Sequence, residues 1–353
     1  MYDVILSFIT AFTLTYFAIP SIINVAAKKN LVDVPDERKS HINPTPSLGG
    51  IGIFAGVIFS IVLWTPFTVF GDLQYVLCSF IIVFLIGAKD DILPMAPWRK
   101  VAGEVFAAAI LVVKSNVKLT SLYGIFGIYQ IPDYVGIPLS IFAILVIINA
   151  FNLIDGINGL SGSISTLIAL VLGTWFFLID HLEMAIVAMA LAGSTIAFLK
   201  YNITPAKIFM GDTGALLVGL ICAILALQFI ELHNELEGSP YAMQAVPAVA
   251  IGILIIPLFD TLRVFLTRII RGRSPLTADR NHIHHLMIDC GMTHMKATSI
   301  LVLANMLFIL ISYQFQHLGT YNLLLLILSL ATFSTLGLLF WRRQVAQKRS
   351  IST

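Results

Sequence analysis

The run NAFNLIDGINGL, residues 149–160, closes one apolar stretch and opens the next. Asn149, Asn152, Asp155 and Asn158 recur every third residue, so a continuing helix would gather them into one polar ridge. Gly156 and Gly159 let the backbone turn there or approach a ligand closely. A helix C-cap accounts for Asn152 or Gly156, but not for four amide and acid groups at the end of a hydrophobic run. The stretch therefore reads as a membrane helix ending in functional polar groups.

Working outward, the chain has 353 residues, 58% hydrophobic and only 11% charged. A soluble domain carries nearer a quarter charged residues, so composition places the chain in a membrane. A span needs about 20 apolar residues. Eleven spans are expected, near 3–27, 48–69, 73–88, 99–118, 136–154, 160–179, 183–199, 213–232, 244–267, 297–316 and 321–341. The expected fold is all-α and polytopic, a single domain over 1–353. With the N-terminus outside, only Lys114 and Lys118 of the 21 lysines and arginines fall on the outer face, which is the asymmetry membrane topology follows. The C-terminus and a basic tail, 342–353, then lie in the cytoplasm. So do the loops 28–47, 89–99, 155–160, 200–212 and 268–296, which form the site face.

The outer segment 119–135 has β-prone runs broken by glycine and proline, and predicts a small hairpin. Cys78, Cys222 and Cys290 are isolated, with no disulfide or thiolate–metal spacing. The first span lacks a charged leader region or clear cleavage site and is read as retained. The basic inner face suits anionic headgroups or a nucleotide. Nucleic acid is not an expected partner, because no basic domain stands clear of the bilayer.

Three more clusters fall at the inner edge. Asp90-Asp91 closes the third span; two adjacent acids at a helix C-terminus repel each other and oppose the helix dipole, so a cation or Lys100 should accompany them. In FMGDTG, 209–214, Asp212 is either an N-cap or a ligand for a hard cation such as Mg²⁺. The loop 268–296 holds His282, His284 and His285. Zinc, with Cys290 as a further ligand, is one reading. Arg268, Arg271, Arg273 and Arg280 in the same loop favour an oxyanion instead. The segment 35–50 adds Arg38, Lys39 and His41, and Gly49-Gly50 opens a helix whose bare N–H groups could meet phosphate.

Acids for a metal, cations for a diphosphate and amides for a polar ligand suit phosphoryl transfer, which needs positioning and charge neutralisation. A secondary transporter for an anionic or lipid substrate is the rival from another class, but its sites lie near the midplane, whereas these clusters share one interface.

The acid pair at 90–91, NAFNLIDGINGL, FMGDTG and DRNHIHHL (279–286) resemble, in order and over residues 5–340, the polyprenyl-phosphate N-acetylhexosamine-1-phosphate transferase superfamily, of glycosyltransferase 4 type. The resemblance implies a Mg²⁺-dependent enzyme (Mn²⁺ as an alternative) in the bacterial cytoplasmic membrane, its site facing the cytoplasm. It would join a UDP-N-acetylhexosamine to undecaprenyl or another polyprenyl phosphate and release UMP; a homodimer is compatible with it. ADRNHIHHLMIDCG resembles the branch that starts O-antigen, enterobacterial common antigen or teichoic acid glycans, which implies UDP-GlcNAc rather than UDP-MurNAc-pentapeptide as donor. By position, Asp212 matches the principal Mg²⁺ ligand, Asp90 and Asp91 the pair that deprotonates the lipid phosphate or assists the metal, and Lys100 a lysine near the diphosphate. Asn152 and Asp155 match the substrate and metal neighbourhood, Phe209 an aromatic against uracil, Asn202 a polar contact nearby, and His282, His284 and His285 the donor's phosphates or sugar. One position departs: the family usually has D-G-x-D-G, whereas Asn158 stands in the second acid's place, and an amide cannot be a general base.

Overall fold

The computed structural model describes residues 2–29, 31, 45–236, 238–272 and 281–352. Among them the helices are α1 (Tyr2–Lys28), α2 (Gly49–Trp64), α3 (Leu73–Ile92), α4 (Pro97–Lys114), α5 (Asp133–Ile154), α6 (Leu160–Leu178) and α7 (Leu182–Asn202). They continue with α8 (Gly211–Leu232), α9 (Val246–Ile253), α10 (Ile255–Ile270), α11 (Ile283–Asp289), α12 (His294–Gln314) and α13 (Thr320–Ser352). The expected hairpin is present, β1 (Ser121–Ile125) antiparallel to β2 (Ile128–Gln130). Tyr123 anchors it to the end of α8, its hydroxyl donating to Ile230 O at 2.6 Å.

Helices stand at all eleven expected positions. Seven of them (α1, α5, α6, α7, α8, α12 and α13) are long and apolar enough to cross a membrane, or eight if the bent pair α9–α10 is one span. α2 is apolar but has only 16 residues. α4 carries Arg99, Lys100 and Glu104 within its length, and α3 ends in Lys89-Asp90-Asp91. The helix α11, inside the loop 268–296, was not expected. α13 runs through the basic tail as helix instead of ending near residue 341.

The expected ninth span is broken by an 86° bend between α9 and α10. Pro257 lacks the N–H that would bond one turn back, so the ladder fails there. Asn305 of α12, fully buried, repairs the gap: its Nδ2 donates to Ile253 O at 3.0 Å, and its Oδ1 accepts from Ile256 N at 3.4 Å. Backbone groups freed inside a bilayer have to find such partners, because lipid offers none.

α8 is the central post, buried almost continuously from Thr213 to Leu227 and packed on α2, α3, α5, α6, α7 and α9. Its start is gripped closely. A Cβ at Gly50 would lie 2.1 Å from Gly214 N, so α2 and α8 meet backbone to backbone. Gly49 N and Gly50 N donate to Phe209 O and Met210 O, each at 2.9 Å, and Phe209 N to Pro46 O at 2.7 Å. The N–H groups expected to await a phosphate at the start of α2 thus tie that helix to α8.

Candidate active site

The polar clusters converge where α3 and α5 end and where α4 and α8 begin. Asp91 accepts from Asp212 N (2.7 Å), Thr213 N (2.9 Å) and Thr213 Oγ1 (2.5 Å). The N-cap of α8 is therefore supplied in trans, from 121 residues earlier in the chain. Capping by a carboxylate satisfies orphan N–H groups and the helix dipole together. Asp212 itself does not cap; its carboxylate stands clear of the helix end.

That carboxylate is the hub. Lys100 Nζ donates to Asp212 Oδ2 at 2.6 Å and to Asp90 Oδ2 at 3.2 Å, while Asn152 Nδ2 donates to Asp212 Oδ1 at 2.6 Å. Asp90 Oδ1 accepts from Met95 N at 2.6 Å, which fixes the α3–α4 turn. Four helices thus place Asp90, Lys100, Asn152 and Asp212 in one network. Asp155, half-buried at the C-cap of α5, makes no hydrogen bond among the described residues. Burial, then the negative charges of Asp212 and Asp91, hold its carboxyl well above the usual carboxylate range.

The α5–α6 turn is latched rather than free. Gly159, at φ 79°, donates its N–H to Asn202 Oδ1 at 2.6 Å, and Asn202 Nδ2 donates to Ile208 O at 2.9 Å. Both the oxygen and the nitrogen of the Asn202 side-chain amide hold loops together, leaving it a support for the site. Asn158 Nδ2 donates to Thr204 Oγ1 at 2.9 Å, and Asn158 O accepts from Thr298 of α12. Phe209 is half-buried, with its backbone in the α2 pairing described above.

The histidines ride on α11, opposite this turn. Buried Asp260 of α10 caps α11 by accepting from Ile283 N at 3.0 Å, lies 3.0 Å from His282 Nδ1, and pairs with Arg263 at 2.9 Å. His284 is 1% exposed, and among the described residues neither ring nitrogen has a hydrogen-bond partner. Its Nε2 would lie 2.3 Å from a Cβ at Gly156, so only glycine leaves room for the ring against the α5–α6 turn. Burial, with the charge of His285 beside it, pushes His284 down to about 3, and the ring is neutral at ordinary pH. Lys39, His41 and Arg280 lie outside the described residues.

Three participants escaped the sequence reading. Asp260 is an acid within an apolar run, a signal that merits attention by default. Glu104 follows Lys100 by one helical turn, on the same face. The role of Thr213 depends on contact with Asp91, which no local pattern announces.

The family model for glycosyl transferase family 4 matches residues 73–230, from the start of α3 to near the end of α8. The chain is 31% identical over 285 residues to an undecaprenyl-phosphate alpha-N-acetylglucosaminyl 1-phosphate transferase of Escherichia coli (strain K12), covering 79% of this chain and 75% of that one. It is 29% identical over 316 residues to a decaprenyl-phosphate N-acetylglucosaminephosphotransferase of Mycolicibacterium smegmatis, covering 84% and 78%.

Proposed function

The chain belongs to glycosyl transferase family 4, and from that premise we propose that it transfers N-acetylglucosamine 1-phosphate from UDP-GlcNAc to undecaprenyl phosphate. UMP and undecaprenyl-diphospho-GlcNAc would be the products. The observation that carries the reading is the meeting of Asp90, Lys100, Asn152 and Asp212, from four different helices, at one end of α8. A lipid phosphate confined to the bilayer and a soluble nucleotide can meet only at such an interface.

A phosphate oxygen of the lipid attacks the β-phosphorus of the donor; the bond from that phosphorus to the bridging oxygen breaks, and UMP leaves with the electron pair. Lys100 is placed to neutralise the diphosphate, and Asn152 to hold Asp212 in orientation. A proton still on the lipid phosphate would pass to a carboxylate of the group, and Asp155, which makes no hydrogen bond among the described residues, is the one we assign to take it. His284 is a neutral ring buried against Gly156, so its meeting a phosphate or sugar oxygen would require movement of α11 or of the α5–α6 turn.

Mg²⁺ is part of this proposal. The donor set fits it: the oxygens of Asp212 and Asp90 already close around one positive charge, the Lys100 ammonium. No three or more His, Cys, Asp or Glu among the described residues are arranged to hold an ion. Mg²⁺ commonly takes only one or two carboxylates and completes its shell with phosphate oxygens and water. Asp212 would hold it, with Asp91 fixing Asp212 from behind, and the ion would screen the developing charge on the diphosphate.

The lysine and arginine asymmetry supports an eleven-span topology in the bacterial cytoplasmic membrane, with the site on the cytoplasmic side. The test is UMP release by the full chain in detergent with undecaprenyl phosphate and Mg²⁺. UDP-GlcNAc, UDP-GalNAc and UDP-MurNAc-pentapeptide are compared, with lipid-free and EDTA controls. Lipid- and Mg²⁺-dependent release from UDP-GlcNAc is expected. Turnover of another donor alone would overturn the sugar assignment, and no turnover of any would overturn the transfer.

A further inference from the structure

Glu104 lies one helical turn after Lys100 on α4, in the protein interior, where an ionisable group is costly. It is 1% exposed. Its Oε2 accepts from Asn149 Nδ2 of α5 at 2.9 Å, and its Oε1 has no partner among the described residues. Asn149 lies three residues before Asn152, and the same Nδ2 also donates to Leu145 O within its own helix at 2.9 Å.

Two rungs therefore join α4 and α5. The upper runs from Lys100 through the Asp212 carboxylate to Asn152, so it passes through the group at the centre of the site. The lower, Glu104 to Asn149, is direct, with the carboxyl buried and the amide half-buried. Residues four apart on α4 and three apart on α5 share a face, so the lower rung fixes the separation and rotation at which the upper one must close. Packing alone would not call for a carboxyl here; an apolar side chain would fill the place without an unpartnered oxygen.

We propose that Glu104 is a positioning residue for the transfer step, acting through Asn149 to hold Lys100 and Asn152 on the two oxygens of Asp212. The inference rests on the transferase reading for its kinetic consequence, but not for its structural one.

The experiment uses the full chain in detergent with Glu104→Ala, Glu104→Gln and Asn149→Ala. It reads steady-state UMP release, and the labelling of Lys100 by an amine-reactive reagent, measured by mass spectrometry relative to exposed Lys207. Gln keeps an oxygen that can accept from Asn149. Both alanine variants are expected to lose about tenfold or more in kcat with the KM for UDP-GlcNAc within about twofold, and to gain about threefold in Lys100 labelling. Glu104→Gln should recover most of both. Unchanged Lys100 labelling in the alanine variants overturns the proposal whatever kcat does, as does a kcat within about twofold of the unsubstituted chain, or a Gln variant as impaired as Ala. Should the unsubstituted chain release no UMP, the transferase reading fails and labelling alone decides the lower rung. Should Glu104→Ala not fold, Asn149→Ala, which keeps the buried acid, decides it.

Discussion

Asp91 and Asp212 both belong to the proposed site, yet they should fail differently. Asp91→Ala leaves Asp212 N and Thr213 N without their acceptor, so it should lower stability by about 1–2 kcal/mol and also impair turnover. Asp212→Asn keeps a side-chain oxygen and should abolish UMP release while the unfolding midpoint holds; near-normal turnover would remove Asp212 from the chemistry. Asn158→Asp should preserve activity, since an acid there can accept from the Thr204 hydroxyl that now meets the amide; a folded, inactive variant would show that the amide itself is required. His284 gives a pH effect of definite sign. Its pKa falls from 6.5 to about 3 on folding, so below pH 6.5 the unfolded chain takes up a proton that the folded chain refuses. Stability should therefore drop as pH falls from 6.5 towards 3, and less steeply in His284→Gln; equal slopes in unfolding scans would refute this. The sequence made these residues conspicuous, because charge and amides stand out in apolar runs. It could not divide their labour, because that depends on contacts between residues a hundred positions apart.

At the scale of elements, hydropathy located a helix at every expected position, seven or eight of them long and apolar enough to cross a membrane, and the glycine- and proline-broken β-prone runs located the hairpin. The bend between α9 and α10 escaped because Pro257 in an apolar run fits a kinked helix as well as a broken one. What selects the break is Asn305, about 50 residues away on another helix. Asn305→Leu would leave Ile253 O and Ile256 N unpaired in the interior, at a cost of about 1–3 kcal/mol each. A lowered unfolding midpoint is expected; an unchanged one would show that the break is held by packing alone. The short α11 was hidden for a related reason: seven residues carry too little periodicity to read, and its start is capped by Asp260 from α10.

For the whole molecule, the proposed site lies at the end where α8 begins, and the opposite end holds the hairpin. Cysteines introduced at Lys207 and Tyr129, both exposed, test the orientation directly. An impermeant maleimide should label the Tyr129→Cys chain in intact cells and the Lys207→Cys chain only in inverted vesicles; the reverse pattern would invert the topology. The site itself depends on the seam between α2 and α8, where Gly50 and Gly214 touch with no side chain between them. Such a seam gives natural variation nothing to adjust by degrees, since every substitution there is a large step. A change at Gly50 or Gly214 has to move two backbones at once, so this seam is the part of the molecule least able to absorb substitution.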